Sequence, residues 1–198
     1  MAHTDEPPDD VWVHPSVEVR PSPISGRGLF ATEPLPAGVV VIRLGGRLVD
    51  TAELHRLFAE AADDEYVDTV AVDHDTHLVV PSGTTAHWGN HSCDPTMWPV
   101  GTYDLATCRP IAAGEELTVD YATISDDATF TMHCTCGAAP CRTVVTGEDW
   151  RRPELQRRYA GHWPPGLARR IESAARAQSP AGRVPSVTST VRSASPRR

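Results

Sequence analysis

The sequence contains no lysine. All 18 of its basic residues are arginine, so the chain offers no lysine side chain for its own modification. We attribute the bias to codon usage in a GC-rich genome. No apolar run has the length needed to span a bilayer. No secretory-type leader is evident either, because residues 1–10 are acidic and proline-rich, the opposite of a basic region followed by an apolar stretch. These absences lead us to expect a soluble, cytoplasmic protein. The five cysteines make an odd number, and without a secretory signal they are expected as metal ligands or inert thiols rather than disulfides. There is no internal repeat.

What is present is uneven in charge. Residues 1–150 hold 24 acidic residues and 7 arginines, a balance of −17; residues 151–198 hold 2 acidic residues and 11 arginines, a balance of +9. An acidic body favours a basic partner through long-range attraction that salt weakens, although acidic surfaces also serve plain solubility. The length of 198 residues suits one domain with a real core.

The local patterns predict short strands and few helices. Val11 to Arg20 alternates and is interrupted by Pro15, which predicts an edge strand. Ser25 to Gly28 reads as a tight loop. Val39 to Leu44 reads as a β-branched strand, with Gly45-Gly46 suggesting a hairpin. A helix is predicted from about Thr51 to Ala62, with Leu54, Leu57, Phe58 and Ala61 on one face and Asp50 with Glu53 as a capping box. Strands follow at Tyr66–Val72 and His77–Val80. Trp98 to Cys108 reads as one strand that pairs with Leu117–Tyr121 across the Ala112-Ala113-Gly114 turn. Helices are predicted from Pro153 to Tyr159 and from Gly166 to Ala177, and a basic, disordered tail beyond.

The most informative stretch is Gly89-Asn90-His91-Ser92-Cys93-Asp94-Pro95. It gathers an amide, an imidazole, a hydroxyl and a thiol, and its Asp-Pro end marks an irregular loop. Two later stretches answer it. Glu116 to Tyr121 is a short strand ending in a carboxylate and a phenol. Cys134, Cys136 and Cys141 form a C-x-C-x4-C cluster beside Gly137 and Pro140. Zinc takes four ligands in a tetrahedron, and Cys93 is the natural fourth. A site of His87, His91 and Cys93 is the alternative, and loose or buried thiols are the plain one. Cys108 reads as a core thiol.

At these residues the sequence resembles the SET-domain proteins, the family of S-adenosylmethionine-dependent lysine methyltransferases. Gly26-Arg27-Gly28 resembles the family's first glycine pair. Asn90 to Pro95 resembles its N-H-S-C-x-P motif, and Gly114 to Tyr121 its G-E-E-L-x-x-D-Y strand. Cys134 to Arg142 resembles its post-SET zinc segment. The resemblance implies a mostly-β SET-domain fold of small curved sheets, with a pseudoknot-like threaded loop, and we expect a helical C-terminal extension beyond it. The expected divisions are a disordered 1–10, a SET domain over 11–123, a zinc segment over 124–150, the helical extension over 151–177 and a disordered basic tail over 178–198. Gly26, Arg27 and Gly28 would approach S-adenosylmethionine through their backbone. Asn90 would meet its methionine end, and the backbone of His91 its adenine. Tyr121, with Tyr66 as a second channel tyrosine, would sit at the transfer point. Cys93, Cys134, Cys136 and Cys141 would hold Zn2+.

Three positions depart from the family pattern. His87-Trp88 replaces an Arg-aromatic pair, Thr96 replaces an Asn, and Thr143 replaces a Gly. The resemblance implies methyl transfer to a lysine in a basic protein segment; the lack of an apolar span and the overall acidic charge lead us to expect neither a membrane nor a nucleic-acid partner. A non-catalytic SET-like binding module and a small-amine methyltransferase are the alternatives. The absent lysine and the lack of accessory chromatin domains point to a bacterial source.

Overall fold

A computed structural model describes residues 6–62 and 67–178 of the chain. In chain order the strands and helices are β1 (Trp12–Val13), β2 (Val17–Pro21), β3 (Arg27–Ala31), β4 (Val40–Arg43), β5 (Arg47–Val49), α1 (Thr51–Glu60), β6 (Thr69–Asp73), β7 (Thr76–Val79), β8 (Met97–Val100), β9 (Asp104–Thr107), β10 (Glu116–Leu117), β11 (Thr131–His133), β12 (Val144–Thr146), α2 (Pro153–Arg158) and α3 (Pro165–Gln178). The fold is mostly β, with helices at its C-terminal end. The strands form four small antiparallel sheets, ordered β1-β4-β9-β8, β10-β3-β2, β5-β7-β6 and β11-β12. The first three share one core, in which Leu29, Val41, Ile42, Leu78, Met97 and Leu117 are buried.

Several strand expectations change. Val11 to Arg20 is two strands in two sheets, because His14-Pro15-Ser16 turns between them. Gly45-Gly46 is a crossing between sheets, not a hairpin: β4 pairs with β1 and β9, whereas β5 pairs with β7. Trp98 to Cys108 folds back on itself as the β8–β9 hairpin, with Gly101 at φ 66° in the turn. Leu117 therefore pairs with Leu29 of β3 rather than with that segment. Residues 6–10 of the segment expected to be disordered lie along this crossing, where the Gly46 amide donates to the Pro8 carbonyl at 2.9 Å.

Helix α1 forms where its periodicity predicted. Asp50 caps it by accepting from the Glu53 amide at 2.7 Å. The capping box is only half made, because the Glu53 side chain faces Arg47 and Arg56 instead. Leu54 is fully buried, a contribution of about 1.5–3 kcal/mol. Helix α3 lies against β6 because Gly166 has no side chain: a Cβ there would stand 2.0 Å from the Val72 carbonyl oxygen.

His77 on β7 is buried and its Nε2 meets the Thr51 hydroxyl at 2.9 Å, tying the start of α1 to the sheet. Burial lowers its pKa; Asp127 and Asp75 oppose this, while His55 and Arg170 act with it, and Asp126 stands 3.8 Å from Nδ1. Folding therefore favours the neutral ring. The contribution is fully present above the unfolded value of about 6.5 and is lost as pH falls below it. Urea midpoints of wild type should drop between pH 7.5 and 5 more steeply than those of His77→Gln; parallel profiles would show that His77 is not the cause.

Candidate functional site

The Gly89–Pro95 loop follows a single 3-10 turn, Thr85–Trp88, and runs parallel to the segment after β10. The Val119 amide donates to the Asn90 carbonyl, and the Ser92 amide to the Val119 carbonyl, both at 3.1 Å. In such a bridge the N–H and C=O of His91 itself point the other way. His91, Ser92 and Cys93 are buried.

Asn90 brings three separate motifs together. Its side-chain nitrogen donates to the Arg27 carbonyl at 2.8 Å, the Ser25 carbonyl at 3.2 Å and Glu116 Oε1 at 2.8 Å. Glu116 also accepts from the Ser22 hydroxyl at 2.8 and 2.9 Å. A Cβ at Gly28 would stand 2.1 Å from Glu116 Oε1, so a side chain there would displace that carboxylate from Asn90. Gly26 sits at φ 46° with open space around it. The Asn90 amide oxygen takes no hydrogen bond among the described residues, so it is available to a ligand donor such as an ammonium. Arg27 lies over the Trp88 ring at 5.4 Å.

Tyr121 begins a second 3-10 turn. Its hydroxyl donates to the Gly89 carbonyl at 3.0 Å and its amide donates to His91 Nδ1 at 3.1 Å. Its ring and Phe130 both line a cavity of about 380 Å3, whose walls also include Phe58, His87, Gly89 and Met97. Neither Gly26–Gly28 nor Asn90 lines it. Cavity and Asn90 cluster are thus distinct features that share the Gly89–Tyr121 junction. Tyr66 lies outside the described residues.

Because His91 Nδ1 accepts, its Nε2 carries the proton and donates to Cys93 Sγ at 3.3 Å. Burial pushes the His91 pKa down to about 4, Asp120 opposing. The sulfurs of Cys93, Cys134, Cys136 and Cys141 all lie within 4.8 Å of one another. Each accepts a backbone N–H: Arg142 to Cys93 at 3.3 Å, Cys136 to Cys134 and Cys93 to Cys136 at 3.5 Å, and Thr143 to Cys141 at 3.4 Å. Donors aimed at every sulfur suit thiolates holding a cation. Burial pushes the Cys93 and Cys134 thiols up, whereas donors from the Cys93 and Ala138 backbone outweigh burial at Cys136 and bring it down to about 7. A bound cation would deprotonate all four. The alternative set fails, because His87 Nδ1 faces Asp68 at 2.7 Å while His91 serves Cys93. Cys108 donates to the Pro95 carbonyl at 3.2 Å.

Sequence reasoning missed the polar core beside the cysteine cluster. Asp120 is fully buried and accepts two parallel bonds from Arg142, both 2.6 Å. Arg142 Nε reaches Asp149 at 3.0 Å, and the Tyr159 hydroxyl donates to Asp120 at 2.8 Å. Burial alone would raise the Asp120 pKa, but Arg142 wins and holds it below the ordinary value. Two departures from the family pattern are also accounted for. The Thr96 hydroxyl donates to the Glu116 carbonyl at 3.2 Å and accepts from the Thr118 amide at 2.8 Å. Thr143 has φ 63°, the left-handed region that glycine adopts freely.

With this geometry in place the comparisons with known proteins decide the family. Residues 26–122 match the family described as SET domain. This chain carries a SET domain. It is 30% identical over 158 residues to the histone-lysine N-methyltransferase Su(var)3-9 of Drosophila pseudoobscura pseudoobscura, covering 67% of this chain and 25% of that protein. It is 33% identical over 140 residues to human histone-lysine N-methyltransferase 2B, covering 66% and 5%. This chain thus spans a quarter or less of the length of the curated relatives named here. In fold it is similar to the methyltransferase domain of human histone-lysine N-methyltransferase SETMAR, with a TM-score of 0.56 and 22% identity over 67% of this chain and 57% of that one. The cysteine cluster fits the post-SET zinc site.

Two outcomes are expected of the metal segment. Elemental analysis should find one zinc per chain, lost in Cys136→Ser; a metal-free wild type of unchanged stability would contradict the assignment. Thr143→Gly should stabilise the protein by about 1 kcal/mol in denaturant unfolding, since the left-handed region costs a non-glycine residue about 1–2 kcal/mol and glycine's extra unfolded freedom offsets about half. An unchanged or lower midpoint would count against strain at this position.

Proposed function

We propose that this chain is a methyltransferase that moves a methyl group from S-adenosylmethionine to a lysine of a basic protein segment. The observation that carries the reading is the Tyr121 hydroxyl on the Gly89 carbonyl, where the cavity lined by Phe58 and Phe130 adjoins the Asn90 cluster. The SET domain and the histone-lysine methyltransferases it resembles support lysine as the acceptor. The bacterial, cytoplasmic setting we propose rests on composition alone, and the relatives named above are eukaryotic.

The residues fit both groups the family uses. Gly26, Arg27 and Gly28, with the free amide oxygen of Asn90 and the outward backbone of His91, would hold S-adenosylmethionine. Bound there, it supplies a methyl group on a sulfonium that an amine displaces in line. Cys93, Cys134, Cys136 and Cys141 would hold zinc, which ties the post-SET segment onto the Asn90 loop.

The acceptor amine must be neutral. Apolar walls and a nearby positive charge both disfavour an ammonium, so the lysine loses its proton to water before transfer and no strong base is needed. Tyr121 orients the amine through its hydroxyl, and the Gly89 carbonyl offers a second acceptor beside it. Alignment of this kind is what a displacement reaction gains from an enzyme. The acidic body, −17 over residues 1–150, attracts a basic substrate.

The test is transfer of a labelled methyl group to lysate proteins by zinc-replete enzyme. Tyr121→Phe should lower transfer at least tenfold with zinc content unchanged, and Asn90→Ala should weaken binding of S-adenosylhomocysteine about tenfold. Full transfer by Tyr121→Phe, or no cofactor binding by wild type, would sink the reading.

A further inference from the structure

Consecutive residues at the end of α2 grip the two halves of the site. Arg158 Nη1 donates to the Cys93 carbonyl at 2.7 Å, and its Nη2 meets Asp94. Tyr159 is fully buried and its hydroxyl donates to Asp120 Oδ2. Asp120 precedes Tyr121 directly, and its Oδ1 accepts from the Ala122 amide at 3.0 Å, which caps the turn that Tyr121 begins. Each oxygen of this carboxylate thus takes two donors. Oδ1 is served by Arg142 and Ala122, and Oδ2 by Arg142 and Tyr159. Both residues of α2's end lie outside the 26–122 match.

From this we infer that Tyr159 is a positioning residue for Tyr121, and that the C-terminal extension completes the active site rather than merely covering it. The inference rests on the proposed role of Tyr121. The physical basis is the buried carboxylate: without the Tyr159 hydroxyl one lone pair of Oδ2 loses its donor at a site with no exposure to solvent. Asp120 then shifts against Arg142, the capped turn loosens, and the Tyr121 hydroxyl leaves its alignment. Misplacement of an aligning group by a fraction of an ångström lowers turnover more than binding.

The chain has only four tyrosines, which allows a direct readout. Uniform labelling with 3-fluorotyrosine yields a fluorine spectrum in which the Tyr121 and Tyr103 signals are assigned from single Phe variants. In Tyr159→Phe, which keeps the ring against Trp163, the Tyr121 signal should move or broaden while that of Tyr103 stays. Methyl-transfer kcat should fall about tenfold, with KM and zinc content within twofold of wild type. Trp163→Phe, which alters the same packing without touching Asp120, should leave the Tyr121 signal in place. A Tyr121 signal unmoved in Tyr159→Phe overturns the inference, as does unchanged kcat. A Tyr121 signal that moves in a protein whose wild type transfers no methyl group supports the positioning and overturns the proposed function instead.

Discussion

The buried pair of Asp120 and Arg142 is the interaction on which the rest of the site depends. Asp120 comes from the segment that carries Tyr121, and Arg142 from the end of the cysteine segment, 22 residues on. A carboxylate with no exposure to water is costly unless it is fully matched. Here every donor comes from an element that the site needs: the turn at Tyr121, the metal segment and the end of α2. Arg142 extends the network in two further directions, to Asp149 through Nε and to the Cys93 sulfur through its backbone N–H. The same residue thus touches the cysteine cluster and the carboxylate beside Tyr121.

The charge asymmetry of the sequence takes on a second meaning in this setting. The arginines of residues 151–198 could have formed a solvated helix face, and Arg157 and Arg176 are exposed. Arg158, Arg169 and Arg170 instead meet Asp94, Asp73 and Asp126 on the acidic body. Arg170 also lies over the buried Trp150 ring at 4.5 Å, with Arg151 at 4.2 Å. Asp126 is buried, so its pairing matters more than the exposed pairs, which contribute little individually. The body's acidity therefore seats its own C-terminal helices.

Motifs and local signals were legible in the sequence, and long-range partners were not. Asn90 and the four cysteines could be read because their residue types and order carry the chemistry, and the chain folds them together as expected. Helix α1 could be read because Asp50 and an apolar face mark it. The Trp98–Cys108 segment reads as one strand because its apolar alternation continues on both sides of Gly101, where the chain turns. Asp120, Arg142 and Tyr159 stayed hidden for a different reason. Each looks ordinary alone: a strand-end acid, an arginine after a cysteine and a helix-end tyrosine. Only the tertiary fold brings together partners 22 and 39 residues apart. Thr143 marks the middle case, in which a departure from a family glycine pointed to a backbone position without revealing its φ.

The central claim, that one buried pair holds the turn at Tyr121 to the metal segment, is tested most directly by a double-mutant cycle. Asp120→Asn, Arg142→Met and the double variant would be compared by denaturant unfolding of the zinc-loaded protein. Removing one partner leaves a buried group unmatched, so each single change should cost about 3–5 kcal/mol. The double change should cost less than the sum, with a coupling of at least about 2 kcal/mol. Costs that simply add would mean that Asp120 and Arg142 act independently, and the account of the site built on their bond would be wrong.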